Sequence, residues 1–304
     1  MRILLQFPEG LKQKALEHAK KIEKEGNEVL ISASPCFGAC DLALDEAKAV
    51  NAEKLIHFGH AEFNKVDFNV EYIEYKIDAP LEILKDSLTL LEEFGRLGIV
   101  TTIQHVHQLD AIKEFYQKEG KSVSLGKPYG FAKKEGQILG CDAGSAATID
   151  KDVDVHIYFG GGLFHPLGAV LNTTKPFLSI DPFMGKMEFL DSYREKYRKR
   201  SRGRILAALN AKSFGILVST KNGQFNMKLA EILKTKIEEA NLAAEILVSN
   251  TFDFSSLDNL LEFDAFVNTA CPRLVNDDSI RIRKPLLSSN ELIESLGIIT
   301  SLRK

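Results

Sequence analysis

The sequence predicts an α/β protein in which three related small domains, each a parallel sheet flanked by helices, are arranged around a central site. Two observations lead to this prediction. Apolar strand-like runs alternate with amphipathic helical segments, and this pattern starts again twice along the chain. Alternating β and α segments indicate parallel strands joined by right-handed crossovers. We place the repeats at residues 1–93, 94–190 and 191–304, the last with a basic linker helix.

Length and composition are typical of a globular protein. The 304 residues suffice for two or three domains, and 44% hydrophobic with 27% charged residues argue against disorder. The net charge of -3 is not that of a general nucleic-acid-binding protein, so no direct nucleic-acid binding is expected. No apolar run approaches the ~18 residues that cross a bilayer, and the opening MRILLQF is too short for a signal peptide. We therefore expect a cytoplasmic protein that does not associate with membranes.

The elements of the first repeat follow from apolar spacing and glycine. A strand is predicted at 2–7, and the helix after it ends at Gly26, because glycine is a common residue just after a helix. The remaining predicted elements of this repeat are strands at 28–32, 54–58 and 72–77 and a short helix at 42–50.

The second and third repeats show the same order of elements. The second has predicted strands at 97–103, 122–125, 137–139 and 176–180 and a helix at 110–118. The third has predicted strands at 214–220, 245–248 and 263–269 and helices at 227–240 and 257–262. Cys40-Asp41 precedes Phe58-Gly59 by the same distance as Cys141-Asp142 precedes Phe159-Gly160. This match indicates an internal duplication.

One cysteine in each repeat follows a predicted strand or lies in the loop next to it: Cys40, Cys141 and Cys271. Ligands of open α/β sheets bind outside the carboxyl ends of the strands, so these are positions of a site. Four cysteines in total are too few for a disulfide framework. A zinc site is poorly supported, because no C-x-x-C pair or nearby histidine pair is present. Ala43 stands where a third cysteine would complete the common radical S-adenosylmethionine motif after Cys36 and Cys40.

Two interpretations of the three cysteines remain. Three thiolates around a four-iron cluster would leave one iron open to a ligand, which makes a metal centre reactive. Alternatively, the cysteines are three unrelated buried residues. Their shared placement near strand ends favours the cluster.

Seven motifs, with the KPLL and NEL stretches near the end, resemble those of the archaeal 2-(3-amino-3-carboxypropyl)histidine synthases of diphthamide biosynthesis. The motifs are LQFPEGL, FGACD, HFGH, GQILGCD, YFGGGLFHPLG, KNGQ and ACPRL. They cover nearly the whole chain. The resemblance implies that Cys40, Cys141 and Cys271 bind a [4Fe-4S] cluster and are catalytic through it. Cys36 has no counterpart among the cluster cysteines of the family, and is a bystander or a substitute ligand.

The resemblance also implies the reaction. The reduced cluster engages the methionine part of S-adenosylmethionine, the co-substrate, and breaks the bond from sulfur to the γ-carbon. The 3-amino-3-carboxypropyl radical then adds to the imidazole of a histidine in translation elongation factor 2. The reaction requires an electron donor, and the family resemblance suggests a homodimer.

Polar and glycine residues near the strand ends are candidates for binding the co-substrate. The histidines could hydrogen-bond the substrate or the cluster sulfurs, or face water. The glycines could let backbone N–H groups approach a ligand, or serve turns only. Lys221 could neutralise a carboxylate in the central crevice, and surface exposure is the alternative. The set comprises Gln6, Gly59, His60, Gly160, Gly161, His165, Lys221 and Gln224.

Three charged features have two interpretations each. Glu9 either faces the crevice or stabilises the first turn of a helix. Arg273 either compensates the charge of a cluster at Cys271 or is a solvated loop residue. The basic run at 194–204, REKYRKRSRGR, is either a solvated helix face or a docking surface for the elongation factor.

Two other functions remain open. A dehydratase similar to quinolinate synthase would also combine three α/β units with three cysteines. A non-catalytic binding protein would use the cysteines structurally.

Overall fold

The structure is a computed structural model that describes residues 1–302. Over this range the chain forms three sheets in which the strands are mainly parallel, flanked by helices. This confirms the predicted α/β class. The chain divides into two compact units, Met1–Tyr193 and Arg194–Lys304; the first unit holds two sheets and the second holds one. The boundaries between the three repeats stay a prediction.

The first sheet has the strand order β2-β1-β3-β4, and all its strands are parallel. Its strands are β1 (Arg2–Gln6), β2 (Glu28–Ile31), β3 (Lys54–Phe58) and β4 (Val70–Ile73), and its helices are α1 (Ala15–Glu23), preceded by a 3₁₀ turn at Glu9–Lys14, and α2 (Leu44–Ala49). The fourth strand was predicted at 72–77 and begins earlier. Its ladder ends where Phe58 pairs with Ile73, so residues 74–77 run beyond the end of β3.

The core of the first sheet lies between β1, β3 and α1. Ala15 and Ala19 of α1 are buried, as the predicted spacing requires, and the ring of Phe7 stacks on Phe58 with centroids 4.2 Å apart. Gly26 follows α1 with a φ of +82°, which glycine adopts without strain. This packing fixes the carboxyl ends of β1 and β3, next to the Cys40 loop.

The second sheet has the order β6-β5-β7-β8-β9. Its strands are β5 (Arg96–Thr101), β6 (Ser122–Leu125), β7 (Val155–Phe159), β8 (Phe177–Asp181) and β9 (Lys186–Phe189), and its helices are α3 (Ile83–Leu90), α4 (Leu109–Lys118), α5 (Gly144–Thr148) and α6 (Phe164–Val170). A 3₁₀ turn at Val106–Gln108 precedes α4. The strand β9 is antiparallel to β8 and was not predicted from the sequence.

The strand predicted at 137–139 does not form. Gln137 makes a single bridge to Thr101, and the chain then turns, with Leu139 and Asp142 exchanging backbone hydrogen bonds. The reason is local: the Gln137 side chain folds back to accept the N–H groups of Lys133 and Lys134, which closes the preceding turn. Cys141 therefore lies in a loop that is fixed to the end of β5.

The second unit has the sheet order β11-β10-β12-β13, and its strands are parallel. The helix α7 (Asp191–Ala208) leads into it, followed by β10 (Ser213–Ser219), α8 (Met227–Glu239), β11 (Ala243–Ser249), α9 (Phe254–Asp258), β12 (Ala265–Asn268), a π turn at Leu274–Asp278, a 3₁₀ turn at Ser279–Arg281, β13 (Leu286–Ser288) and α10 (Ser289–Leu302). The helix predicted at 257–262 begins earlier, because Asp253 caps it by accepting the N–H of Ser256.

A buried ion pair joins α7 to α10 within the second unit. Arg204 Nη2 lies 2.5 Å from Glu291 Oε1, and the two side chains are only 10% and 6% exposed. Glu291 also accepts the backbone N–H of Ser288 at 2.9 Å.

Among residues 1–302, none of the helices is both long and apolar enough to span a bilayer.

Candidate functional site

The Cys40 loop connects β2 to α2 and is held by a side-chain amide. Gln6, at the end of β1, is 2% exposed. Its Nε2 donates to the carbonyl of Asp41 at 2.7 Å, and its Oε1 accepts the N–H of Ala43 at 3.2 Å. One buried amide therefore fixes the backbone directly after Cys40, and the thiol itself stays half-buried.

The Cys271 loop of the second unit is held in the same way. Asn268, the last residue of β12, donates from Nδ2 to the carbonyl of Cys271 at 3.0 Å and accepts the N–H of Ala270 at 3.1 Å. Arg273 is 5% exposed and pairs with Asp277 at 2.6 Å, so it is not a solvated loop charge.

The Cys141 loop is held by a carboxylate and by aromatic rings. Asp142 accepts the N–H groups of Phe131 and Gly144 at 2.8 and 2.9 Å. A β-carbon on Gly140 would lie 2.1 Å from the ring of Phe164, so a larger residue before Cys141 would require this ring to move. The thiol of Cys141 is exposed.

Two histidines connect the Gln6 amide with the neighbourhood of Cys40. His57 Nδ1 lies 2.9 Å from Gln6 Oε1, and His57 Nε2 lies 2.9 Å from His60 Nδ1. A β-carbon on Gly38 would be 3.7 Å from Cys40 Sγ and 3.9 Å from His60 Nε2, so the outer nitrogen of His60 faces the same space as the thiol.

Burial sets the charge of these histidines. It lowers the pKa of His57 to about 3, with a smaller contribution from neighbouring His60. It lowers the pKa of His60 to about 4, against a smaller opposing effect of the Phe58 carbonyl. Both imidazoles are therefore neutral near pH 7. Burial also raises the pKa of the Cys36 thiol to about 12, so Cys36 stays protonated.

The predicted glycines form turns at equivalent strand ends. Gly59, with a φ of +91°, donates its N–H to Ile73, and Gly160 donates its N–H to Ile180. These N–H groups are occupied within the sheets, which favours a turn role. Gly161 is exposed, and its carbonyl accepts the Tyr158 hydroxyl at 3.4 Å.

The other predicted residues are distributed over both units. Lys221 and Gln224 lie in the second unit: Lys221 is 8% exposed with Nζ 3.1 Å from Asn250 Oδ1, and the Gln224 N–H donates to the Lys221 carbonyl. His165 lies in the first turn of α6, half-buried. Glu9 is exposed and pairs with Lys12 at 2.6 Å within the first 3₁₀ turn, which favours the helix-start role.

Only part of the predicted set is brought together. Gln6, His60 and the Cys40 loop form one network in the first unit, whereas Cys271 belongs to the second. Over the described residues, neither unit by itself contains a group of three or more His, Cys, Asp or Glu side chains that could hold a metal ion. Binding of one cluster by three cysteines therefore stays a prediction.

The residues that support the cysteine loops were not predicted from the sequence. His57 and Asn268 are strand residues with buried side chains, and a polar residue inside an apolar strand was the signal available. Gln104, whose amide donates to the Gly59 carbonyl, gave no such signal because it lies in a loop.

Comparisons with known proteins identify a family model and relatives that are similar to this chain. A family model described as "Putative diphthamide synthesis protein" matches residues 7–301. The 2-(3-amino-3-carboxypropyl)histidine synthase of Pyrococcus horikoshii is 35% identical over 98% of this chain and 86% of its own length. Subunit 1 of the human synthase is 31% identical over 98% of this chain and 69% of its own length.

A solved structure agrees with these relatives. The crystal structure of Dph2 from Pyrococcus horikoshii with a 4Fe-4S cluster superposes with a TM-score of 0.89 at 32% identity, covering 98% of this chain and 86% of that one. The fold and the relatives define an enzyme of the transferase class. The chain belongs to the diphthamide synthesis family, which confirms the resemblance drawn from its motifs.

Proposed function

We propose that this protein transfers the 3-amino-3-carboxypropyl group from S-adenosylmethionine to a histidine of translation elongation factor 2. A [4Fe-4S] cluster bound by Cys40, Cys141 and Cys271 supplies the electron that cleaves the bond from sulfur to the γ-carbon. The observation that carries the proposal is the near full-length similarity to a Dph2 structure that contains a 4Fe-4S cluster.

The donor set fits such a cluster. Thiolates are the usual ligands of iron–sulfur clusters. Cys40, Cys141 and Cys271 are half-buried or exposed in loops whose backbones are held by buried or hydrogen-bonded side chains. Cys36 fits poorly, because its side chain is buried, whereas the other three cysteines are half-buried or exposed.

The other candidate residues would bind and orient the co-substrate. Lys221 carries a positive charge at the end of β10 and would attract the carboxylate of the amino-acid part. His60 would contact the same part from the Cys40 side. Orientation decides the outcome, because cleavage at the γ-carbon requires that this carbon faces the electron source.

The test is an anaerobic reaction of the dithionite-reduced protein with S-adenosylmethionine alone. Methylthioadenosine together with homocysteine sulfinic acid is the expected result, whereas 5'-deoxyadenosine would show that a different bond is cleaved. Alanine variants of Cys40, Cys141 and Cys271 should each lose the broad visible absorbance of the cluster. Binding of dihydroxyacetone phosphate and iminoaspartate instead would favour a dehydratase similar to quinolinate synthase.

The transfer of the group to elongation factor 2 is tested by a separate measurement. Incubation with elongation factor 2 should add one 3-amino-3-carboxypropyl group to one histidine, read by mass spectrometry. We also propose a homodimer in the cytoplasm, and light scattering of the anaerobic protein should give twice the mass of the 33.9 kDa chain.

A further inference from the structure

The hydrogen bonds from Gln6 to His60 have one possible direction. The Asp41 carbonyl can only accept, so the Gln6 group that faces it is the NH₂ group. The Ala43 N–H can only donate, so it faces the Gln6 oxygen. Two backbone groups of fixed chemistry therefore determine the orientation of the amide, independently of how its atoms are assigned.

The orientation of the Gln6 amide also determines which nitrogen of each imidazole carries the proton. Because His57 Nδ1 faces the Gln6 oxygen, it must carry the proton and donate. In a neutral imidazole the other nitrogen then has a lone pair, so His57 Nε2 accepts. His60 Nδ1 must donate to it at 2.9 Å, which leaves the lone pair of His60 on Nε2. The neutral state of both rings follows from their burial.

We propose that His57 is a positioning residue that holds His60 in one tautomer, and that His60 Nε2 accepts a hydrogen bond from the α-ammonium group of S-adenosylmethionine. This inference rests on the proposed function. It predicts that the part of the site next to Cys40 prefers a hydrogen-bond donor of the ligand.

The chemistry of the alternatives supports this choice. Cluster sulfides and thiolates are hydrogen-bond acceptors, and so is the carboxylate of the co-substrate. None of them can donate to the Nε2 lone pair that shares the space beside Gly38 with Cys40 Sγ. The ammonium group is the donor at the same end of the co-substrate, and hydrogen bonds to charged groups are the stronger ones.

The test measures binding and not turnover. The ligands are S-adenosylhomocysteine and its analogue without the α-amino group, titrated calorimetrically into anaerobic protein of matched iron content. The wild type should bind the amine at least ten-fold more tightly, about the effect of one charge-assisted hydrogen bond. His60→Leu should lose this preference and bind the deaminated analogue as the wild type does.

Variants of His57 separate positioning from packing. His57→Gln keeps one donor and one acceptor and should retain most of the preference for the amine, whereas His57→Leu removes both and should abolish it. Equal weakening of both ligands in His60→Leu and His57→Leu would overturn the inference, since a merely structural role predicts that result. Failure of wild-type protein to bind S-adenosylhomocysteine would instead overturn the proposed function, and this inference with it.

Discussion

The side-chain amide of Gln104 donates a 2.7 Å hydrogen bond to the carbonyl of Gly59. Gln104 follows β5 in the second sheet, and Gly59 follows β3 in the first. This bond ties the strand ends of the two sheets within the first unit. It also fixes the turn from which His60 extends.

Removing the side-chain amide of Gln104 should therefore destabilise the first unit. Gln104→Ala leaves the Gly59 carbonyl without its side-chain donor, and we expect a loss of about 1 kcal/mol in the free energy of unfolding. The measurement is urea unfolding followed by circular dichroism. Gln117→Ala, at an exposed position of α4, is the control and should change little. Equal midpoints for the two variants would contradict the role given to Gln104.

Breaking the Arg204–Glu291 ion pair should destabilise the protein more than Gln104→Ala does. Glu291→Ala leaves a buried guanidinium without its carboxylate, so we expect a loss of about 3–5 kcal/mol in the free energy of unfolding. Glu294→Ala, exposed on the same helix, serves as the control. A double variant, Arg204→Met with Glu291→Leu, should recover much of the loss, because it removes both charges. Thermal unfolding of the four proteins checks this order.

The lowered pKa of Asp181 predicts that the stability of the fold depends on pH. Partial burial alone would raise the pKa of its carboxyl, but the N–H groups of Gly162, Met184 and Phe183 lower it below its ordinary value. A lowered pKa stabilises the fold above the unfolded-state pKa, and this stability is lost as the pH falls through the folded-state pKa. Asp181→Asn should therefore lower the melting temperature at pH 7.

The difference from the wild type should shrink below about pH 4, where carboxyl groups of the unfolded chain become protonated. Asp152→Asn, at an exposed position, provides the matched control. A difference that stays constant from pH 7 to about pH 3.5 would show that the carboxylate charge is not the cause.

Cys36 should be dispensable for the cluster. Its thiol is buried and its pKa is raised to about 12, so we expect Cys36→Ala to keep the full iron and sulfide content after anaerobic reconstitution. The alanine variants of the three proposed ligands are the comparison. Loss of iron in Cys36→Ala would make Cys36 a ligand.

The basic face of α7 is the proposed docking surface for elongation factor 2. Lys199, Arg200 and Arg202 are exposed there. Changing these three residues to Glu should leave the iron content unaltered and slow modification of the factor, with the difference shrinking at high salt. The control reverses three exposed lysines elsewhere: Lys24, Lys85 and Lys151. Unchanged modification kinetics would end the docking hypothesis.

Sequence patterns predicted most strands because their signals are local. The strands at Lys54–Phe58 and Ser122–Leu125 have the predicted bounds, since apolar runs there are limited by turn residues. The antiparallel strand β9 was missed because Lys186–Phe189 is short and only partly buried, and it gains its partner by pairing with β8. The strand predicted at 137–139 was wrong because Ile138 is buried in a loop, where the Gln137 side chain closes the preceding turn.

The support of the site could not be predicted in the same way. Gln6 and His57 meet because β1 pairs with β3 in a register that places the two residues opposite each other. That register depends on contacts between residues about fifty positions apart, which a single sequence does not reveal. The three cysteines could be proposed as ligands because a reactive residue type near a strand end is a local signal.

The amides of Gln6 and Asn268 have a consequence for the ageing of the protein. Hydrolysis of either amide to a carboxylate during storage would replace a donor by an acceptor opposite a backbone carbonyl, and the two oxygens would repel each other. The cysteine loops would then open while the sheets remain folded. Preparations that lose colour with time without precipitating should be examined for a mass increase of about one dalton in the peptides that contain these two residues.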